Sequence, residues 1–386
     1  MSETTYLALV PRDGFFCKDG RGWHTSASGR GYALDWPHPS TLLGALRTAC
    51  GRALERSGER LDGEGWKRRT ADITLGTSLA LRRSLDASWD EQTRVWPVPA
   101  DARWLDRHAN VVRLSPRPSS IATLGSDDDE AREALWVARL DDPSKPLSPP
   151  AWWSDADFMR WLRGADVDAS GERLSPPRRT QVHVGIRPEE QTADDGVLFS
   201  HDVIETLEHG SNGAFEWGVG CELSAPEGLV LHTATLGSDG RLAAVQHLPP
   251  RLFAPSDAVL EACDGCLGLR IVIVTPAAFD LGWVPDGLTR RGSEYRGRLN
   301  AQSPEVVLRA ALVARPVHIS GWDMVSGKPK LTGRFVPRGS VYFVARCDGK
   351  RFDREDARQL WLAAIVARTT EGFGRIVPGP WNPGRG

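Results

Sequence analysis

The chain has 386 residues, enough to bury a substantial core and long enough that two domains are the natural expectation. Its 48 Lys and Arg against 50 Asp and Glu give a formal charge of −2, which excludes a global basic field and confines any nucleic-acid site to a local patch. Tryptophan is the compositional outlier, 15 residues against 4 tyrosines, and such aromatics serve cores, protein interfaces and base-stacking surfaces.

The first residues lead directly into a strand-like run with no leader pattern. The apolar stretch 267–279 is broken by Arg270 and Pro276, and 360–367 is too short to span a bilayer. Six scattered cysteines, at 17, 50, 221, 263, 266 and 347, fit reduced thiols in a cytoplasmic protein rather than a disulfide framework.

In chain order, residues 6–10 read as a strand ending at Pro11-Arg12-Asp13, followed by a Gly- and Ser-rich stretch, 20–31, that carries Arg21, Trp23, His24 and Arg30. Pro39-Ser40-Thr41 starts a helix with Ser40 as its N-cap and Leu42, Leu43, Leu46, Cys50 and Leu54 as its apolar stripe. Residues 58–177 are polar and punctuated by prolines, and read as an insertion carrying helices at 131–140 and 155–163. Strand character returns at 180–186, 197–199, 215–223 and 229–235, and a turn at 237–240 leads to a strand at 241–245. Residues 249–256 look like a domain boundary. Beyond it come a strand at 269–275, a helix at 304–311, strands at 316–322 and 340–346, and a helix over 353–369 capped by Asp353. The last strand begins at Arg375-Ile376-Val377. A β-α-β-β-α-β order of this kind is ferredoxin-like and shared by RNA-recognition modules. The first half gives a looser version of it, so the expected class is α+β.

Between the last helix and the last strand lies Gly372-Phe373-Gly374-Arg375, with Gly379 further on. A nucleotide-binding glycine loop follows a strand and opens a helix; here the helix comes first. Two readings stay open: a helix C-cap, where glycine is the usual left-handed residue, or a turn lying flush against a phosphate-rich ligand. Cys263-Asp264-Gly265-Cys266 is a lone CxxC without a second pair, so no metal is expected there. His201-Asp202 lacks partners at metal-binding spacing, and Asp127 to Glu130 suits a helix N-terminus. No nucleophile elbow, Walker loop or zincin motif occurs, and no cofactor is implied. The candidate chemistry is cationic. Arg12, Lys18, Arg21 and Arg30 cluster near the first strand with Trp23 beside them. Arg290, Arg291, Arg296 and Arg298 form a second group, and Lys328, Lys330, Arg334 and Arg338 a third. Such side chains position phosphates, and interleaved aromatics stack bases.

Several segments resemble a known family in their order and spacing. They are Pro11-Arg12-Asp13 with Asp19-Gly20-Arg21, the run from Pro39 to Arg47, His183-Val184-Gly185-Ile186, and Gly196-Val197-Leu198-Phe199. Ser320-Gly321-Trp322-Asp323, Gly339-Ser340-Val341-Tyr342-Phe343 and the closing Gly372-Phe373-Gly374 to Gly379-Pro380-Trp381 continue the series. Together they resemble the RAMP-superfamily subunit of type III-B CRISPR (Cmr) effector complexes that holds the 5′ handle of the guide RNA, the third subunit of that module. The turn 236–241 departs from the family's Leu-Gly-Gly-Glu-Gly-Arg pattern at Ser238 and Asp239, and the 58–177 insertion matches no family segment.

The resemblance implies two ferredoxin-like domains, 1–250 with the insertion and 257–386 ending in the glycine-rich loop. It implies a non-catalytic, RNA-binding subunit in antiviral defence. Its partners would be the crRNA 5′ handle, the large polymerase/cyclase-like subunit and the first backbone RAMP subunit. Phosphate contacts are expected from Arg12, Lys18, Arg21 and Arg375, and close backbone approach at Gly372 and Gly374. Trp23, Ser40, Thr41, Phe373, Gly379, Arg290, Arg291 and Arg334 complete the expected RNA-binding set. Two alternatives stand beside it: a guide-processing endoribonuclease using His24 or His38 as general acid or base, and a protein-only scaffold.

Overall fold

A computed structural model describes residues 2–18, 29–31, 33–118, 135–210, 213–323, 328–366 and 370–383. The chain forms two compact units that alternate along it. Unit 1 comprises Met1–Trp89, Pro176–Pro249 and His318–Gly333; unit 2 comprises Asp90–Ser175, Pro250–Val317 and Arg334–Gly386. Residues 90–175 therefore group with the second half of the chain, whereas the sequence reading placed them in an insertion of the first. No helix among the described residues is long and apolar enough to cross a membrane.

Unit 1 is built on β1 (Ser2–Pro11), whose last five residues are all buried because the strand is flanked on both sides. It pairs antiparallel with β5 (Gly213–Pro226) and with β7 (Arg241–His247). Beyond β5 lies β2 (Thr74–Ser84), and beyond β7 lies β6 (Thr233–Leu236). Among β1, β2, β5 and β7 the spatial order is fourth, first, third, second, every neighbour antiparallel. Helix α1 (Pro39–Arg56) fills the crossover from β1 to β2 and buries the expected stripe, Leu42, Leu43, Leu46, Cys50 and Leu54. Arg47 fastens it through hydrogen bonds from Nε and Nη2 to the carbonyls of Ile73 and Ala71. The N-cap position belongs to His38, not Ser40, and carries no side-chain cap bond. Proline is pre-organised for the first helical position, so Pro39 starts the helix two residues earlier than the Ser40 cap predicts. A second correction concerns β2, which lies inside the expected insertion. Leu75, Thr77, Leu79 and Leu81 alternate along it, and all are buried. Strands β3 (Arg178–Ile186) and β4 (Ala193–Ile204) form a separate two-stranded ribbon.

Unit 2 contains the expected helix at 155–163, observed as Asp155–Leu162, with the Ser154 hydroxyl accepting from the Asp157 N–H. The helix expected at 131–140 is not helical where it is described: Arg117 and Val137 exchange backbone hydrogen bonds of 3.1 and 3.0 Å. Residues 131–134 lie outside the described residues. Helix α2 (Asp257–Cys263) leads into β8 (Gly268–Ile273). The hairpin β9 (Leu288–Arg291) and β10 (Glu294–Arg298) follows, then β11 (Glu305–Leu312), β12 (Val341–Arg346), α3 (Arg354–Leu360) and β13 (Ile376–Trp381). The antiparallel sheet runs β9-β10-β11-β12-β8-β13.

The helix expected at 304–311 is strand β11. Its composition suits a helix, but it is paired along both edges, to β10 and β12, with a bulge between Leu308 and Ala310; tertiary pairing overrides propensity. Helix α3 begins at the expected Asp353 cap, in a capping box with Asp356, but stops at Leu360 instead of 369. Trp361 is anchored there by its Nε1–H to the Phe253 carbonyl (3.0 Å) and by its edge-on ring contact with Trp96. Leu362 then turns at φ 54° and donates to Ile376. At the centre Arg270, which seemed to interrupt an apolar strand, is 2 % exposed and pairs at 2.9 Å with Asp101, itself 0 % exposed. Trp161 joins them, its Nε1–H donating to Asp101 and its carbonyl accepting from Arg270.

Candidate nucleic-acid interface

In unit 1 the segment after β1 is held by three others. Phe15 exchanges backbone hydrogen bonds with Ile204 on β4 (3.0 and 2.7 Å), and the Phe16 carbonyl accepts from the Ser238 N–H at 2.8 Å. The Lys18 N–H donates to the Ser238 hydroxyl at 3.0 Å. Residues 29–31 return along β4, with Gly31 donating to Ser200 and Ser200 to Gly29. Lys18 and Arg30 thus stand on either side of the stretch that carries Arg21, Trp23 and His24; those three lie outside the described residues. Arg12 is exposed at the end of β1, and among the described residues no acidic group pairs with it. Arg30 differs: its guanidinium meets Asp202 at 2.7 Å.

The departure of the 236–241 turn from the family pattern has a structural reading. The two left-handed positions are Gly237 (φ 81°) and Gly240 (φ 60°), both retained. Gly237 lies so close to the Phe16 carbonyl that any Cβ would collide with it. Ser238, in place of glycine, supplies the oxygen that receives the Lys18 N–H.

His201 and Asp202 lie on β4 as ordinary strand residues. His201 stacks on Phe16 (3.8 Å) and on His183 (4.8 Å), which stacks on Phe199 (5.1 Å). Burial, with the neighbouring His183, holds the His201 imidazole below its ordinary pKa. Hydrogen bonds from Arg30 and Thr180 hold the Asp202 carboxyl low. Among the described residues no group of three or more His, Cys, Asp or Glu side chains is placed to hold a metal. All six cysteines are free; burial pushes Cys17 to about 12, and Cys50 and Cys266 to about 11.

Ser40 and Thr41 lie in the first turn of α1. Both are half-buried, Pro39 has no N–H, and the Thr41 N–H already donates to the His38 carbonyl at 3.0 Å.

In unit 2 the hairpin β9–β10 carries Arg290, Arg291, Arg296 and Arg298, all exposed, with Arg309 of β11 adjacent. Arg291 pairs with Glu305 (2.9 Å), and Glu294 receives both Arg296 and Arg309. Burial opposes ionisation of Glu294, but those two arginines hold its carboxyl below the usual range. Five arginines against two glutamates leave the hairpin locally cationic. Arg334 is exposed, whereas the Arg338 guanidinium lies over the Trp152 ring at 4.2 Å.

The glycine loop is held within unit 2. Gly372, Phe373, Gly374 and Gly379 are buried, and Arg375 is half-buried. The Thr275 hydroxyl donates to the Gly372 carbonyl (2.8 Å) and accepts from the Arg375 N–H (3.0 Å). Gly374 donates to Pro276 and accepts from Ile365. Phe373 packs on Phe335 at 5.0 Å, and the Arg375 guanidinium donates to the Leu362 carbonyl at 3.2 Å. A Cβ on Gly379 would press on the Leu162 carbonyl (2.8 Å) and Arg270 Nε (3.0 Å). These contacts give Gly372, Gly374 and Gly379 packing roles within unit 2. Nothing in the local sequence reveals this, because the partners Thr275 and Pro276 lie about a hundred residues upstream.

The family model described as CRISPR-associated protein (Cas_Cmr3) matches residues 7–381. No curated protein sequence matches the chain. Among solved structures, a chain of the type III-B Cmr-beta complex bound to cognate target RNA and AMPPnP is 10% identical, with a TM-score of 0.42, covering 88% of this chain and 86% of that one. A chain of the Csm3–Csm4 subcomplex of the type III-A CRISPR-Cas interference complex is 9% identical, with a TM-score of 0.33, covering 99% of this chain and 100% of that one.

Proposed function

The chain belongs to the CRISPR-associated Cas_Cmr3 family and so is a subunit of a type III CRISPR effector complex; from that premise we propose that it is a non-catalytic RNA-binding subunit that grips the 5′ handle of the guide RNA. The grip has two parts. In unit 1 it is the surface at the end of β1, where Arg12 and Lys18 stand beside the turn 237–240. In unit 2 it is the arginine hairpin β9–β10, with Arg334 as a further cationic contact. The large polymerase/cyclase-like subunit and the first backbone RAMP subunit are the protein neighbours in this reading. We read each sheet as ferredoxin-like: β11-β12-β8-β13 repeats the antiparallel order of β2-β5-β1-β7. Each crossover pair then keeps one helix, α1 in unit 1 and α3 in unit 2.

The observation that carries the proposal is the convergence on Phe16 and Lys18. Gly237 lies flush against the Phe16 carbonyl and Ser238 takes the Lys18 N–H, so the backbone is fixed where cationic side chains emerge from a chain with no global positive field. Phosphate contacts supply position and much of the affinity. Replacing Arg12 and Lys18 together by alanine is expected to weaken handle-RNA binding about tenfold, on the scale of losing two phosphate contacts, without lowering the melting temperature. Unchanged affinity would overturn the unit 1 part of the grip. Metal-independent cleavage of repeat RNA by the purified chain, lost in His24→Ala, would overturn the non-catalytic part.

A further inference from the structure

One cross-strand row of the unit 2 sheet runs from its buried edge to the arginine hairpin. Trp381 on β13 lies opposite Gly268 on β8, Gly268 opposite Ala345 on β12, Ala345 opposite Val307 on β11, and Val307 opposite Arg296 on β10. Directly opposed residues point to one face of a sheet, so Trp381, Val307 and Arg296 share a face. Along it the environment changes. Trp381 is 6% and Val307 3% exposed, whereas Arg296 is open to solvent. Glu294 and Arg298, two residues to either side of Arg296 on β10, belong to the same face.

Trp136 stands where that change occurs. Its ring meets the Trp381 ring edge-on at 5.6 Å, and the Arg309 guanidinium lies 5.8 Å from its centroid. Its backbone N–H donates to the Arg309 carbonyl at 2.6 Å. Arg309 is the extra residue of the β11 bulge, between Leu308, paired with Val344, and Ala310, paired with Phe343. A bulge leaves its extra residue out of the ladder and re-aims its side chain. Here Trp136 takes the spare carbonyl, and the side chain reaches β10, where Nη1 donates to Glu294 at 2.8 Å. Glu294 also receives Arg296. One carboxylate shared by two guanidiniums leaves one positive charge over; with Arg309 gone, Glu294 would offset Arg296 alone. The charge of the hairpin thus depends on a residue of the neighbouring strand, and that residue on the Trp136 ring.

We propose that Trp136 is a positioning residue for RNA binding: its ring holds Arg309 against Glu294 and so leaves the Arg296 guanidinium with charge to spare for a backbone phosphate. The inference rests on the reading of hairpin β9–β10 as an RNA contact, and failure of that reading shows separately, in Arg309→Ala. That variant is expected to weaken binding of handle RNA by the purified chain about threefold, the scale of losing one phosphate contact. Trp136→Leu keeps apolar bulk against Trp381 but removes the ring from Arg309, and is expected to cost about threefold as well. The double variant is expected to match each single variant at about threefold, because Trp136 acts through Arg309. Trp136→Phe, which keeps a ring, is expected to bind at the parent level. Multiplied losses in the double variant overturn the inference and leave the hairpin on the RNA. So does parent affinity in Trp136→Leu beside a loss in Arg309→Ala, or Trp136→Phe binding no better than Trp136→Leu. Parent affinity in Arg309→Ala overturns the inference together with the hairpin's part in the grip.

Discussion

Gly374 adopts φ 67°, and the Val366 side chain occupies the space a Cβ would need. Gly374→Ala is therefore expected to destabilise the chain by about 1–3 kcal/mol, while handle-RNA affinity of the folded fraction stays at the parent value. A specific loss of affinity without loss of stability would return the loop to the RNA surface. The two glycines were visible in sequence as a turn. The side on which their partners lay was not, because Thr275 and Pro276 are far away along the chain. His201 offers a second test at this scale. The charged and titratable groups near it are His183 on β3, the adjoining Asp202, and Asp239 and Arg241 at the 236–241 turn, and its imidazole is held below the ordinary pKa by burial first and His183 second. The unfolded chain then binds that proton more readily, so this contribution to stability is complete above about pH 6.5 and is lost as pH falls from there toward the lowered folded value. Melting temperature should decline from about pH 7 to pH 5, and His201→Phe, which keeps the stack on Phe16, should flatten the decline. A parent chain with no decline in that range would rule out the mechanism.

Elements were legible where local chemistry and tertiary position agreed. Helix α1 was readable from its stripe, and α3 from its Asp353 cap, since each signal is encoded within one or two turns. Strand β2 was missed although Leu75, Thr77, Leu79 and Leu81 alternate, because the polar sequence on both sides hid the period. Strand β11 was misread because Val306 to Leu312 has the composition of a helix and reveals itself only through its two neighbours. The hairpin β9–β10 fills a crossover where a helix belongs in the expected pattern, and it brings four arginines onto one short element. Charge reversal at Arg290 and Arg291 together should lower handle-RNA affinity and reduce the log–log salt slope by about 1.4, the share of two single-strand phosphate contacts. An unchanged slope would remove the hairpin from the RNA surface.

At the scale of the whole molecule, a near-neutral formal charge of −2 means that the proposed RNA affinity has to come from a few placed cations. The two sheets share one antiparallel strand order; the β-α-β-β-α-β reading places a helix at 304–311, where β11 lies, and a strand at 316–322, outside that sheet. The alternation of the units along the chain was not legible, since the polar composition of 90–175 gives no sign of its grouping with the second half. Tryptophan excess found a structural use in unit 2, where Trp96, Trp153 and Trp161 are buried. The most direct test of the RNA grip is a residue-resolved crosslink map of guide-RNA handle in the assembled effector complex. Adducts are expected at residues 11–18 and 288–298 and absent from 372–379; adducts confined to 372–379, or no adduct on this chain, would contradict it.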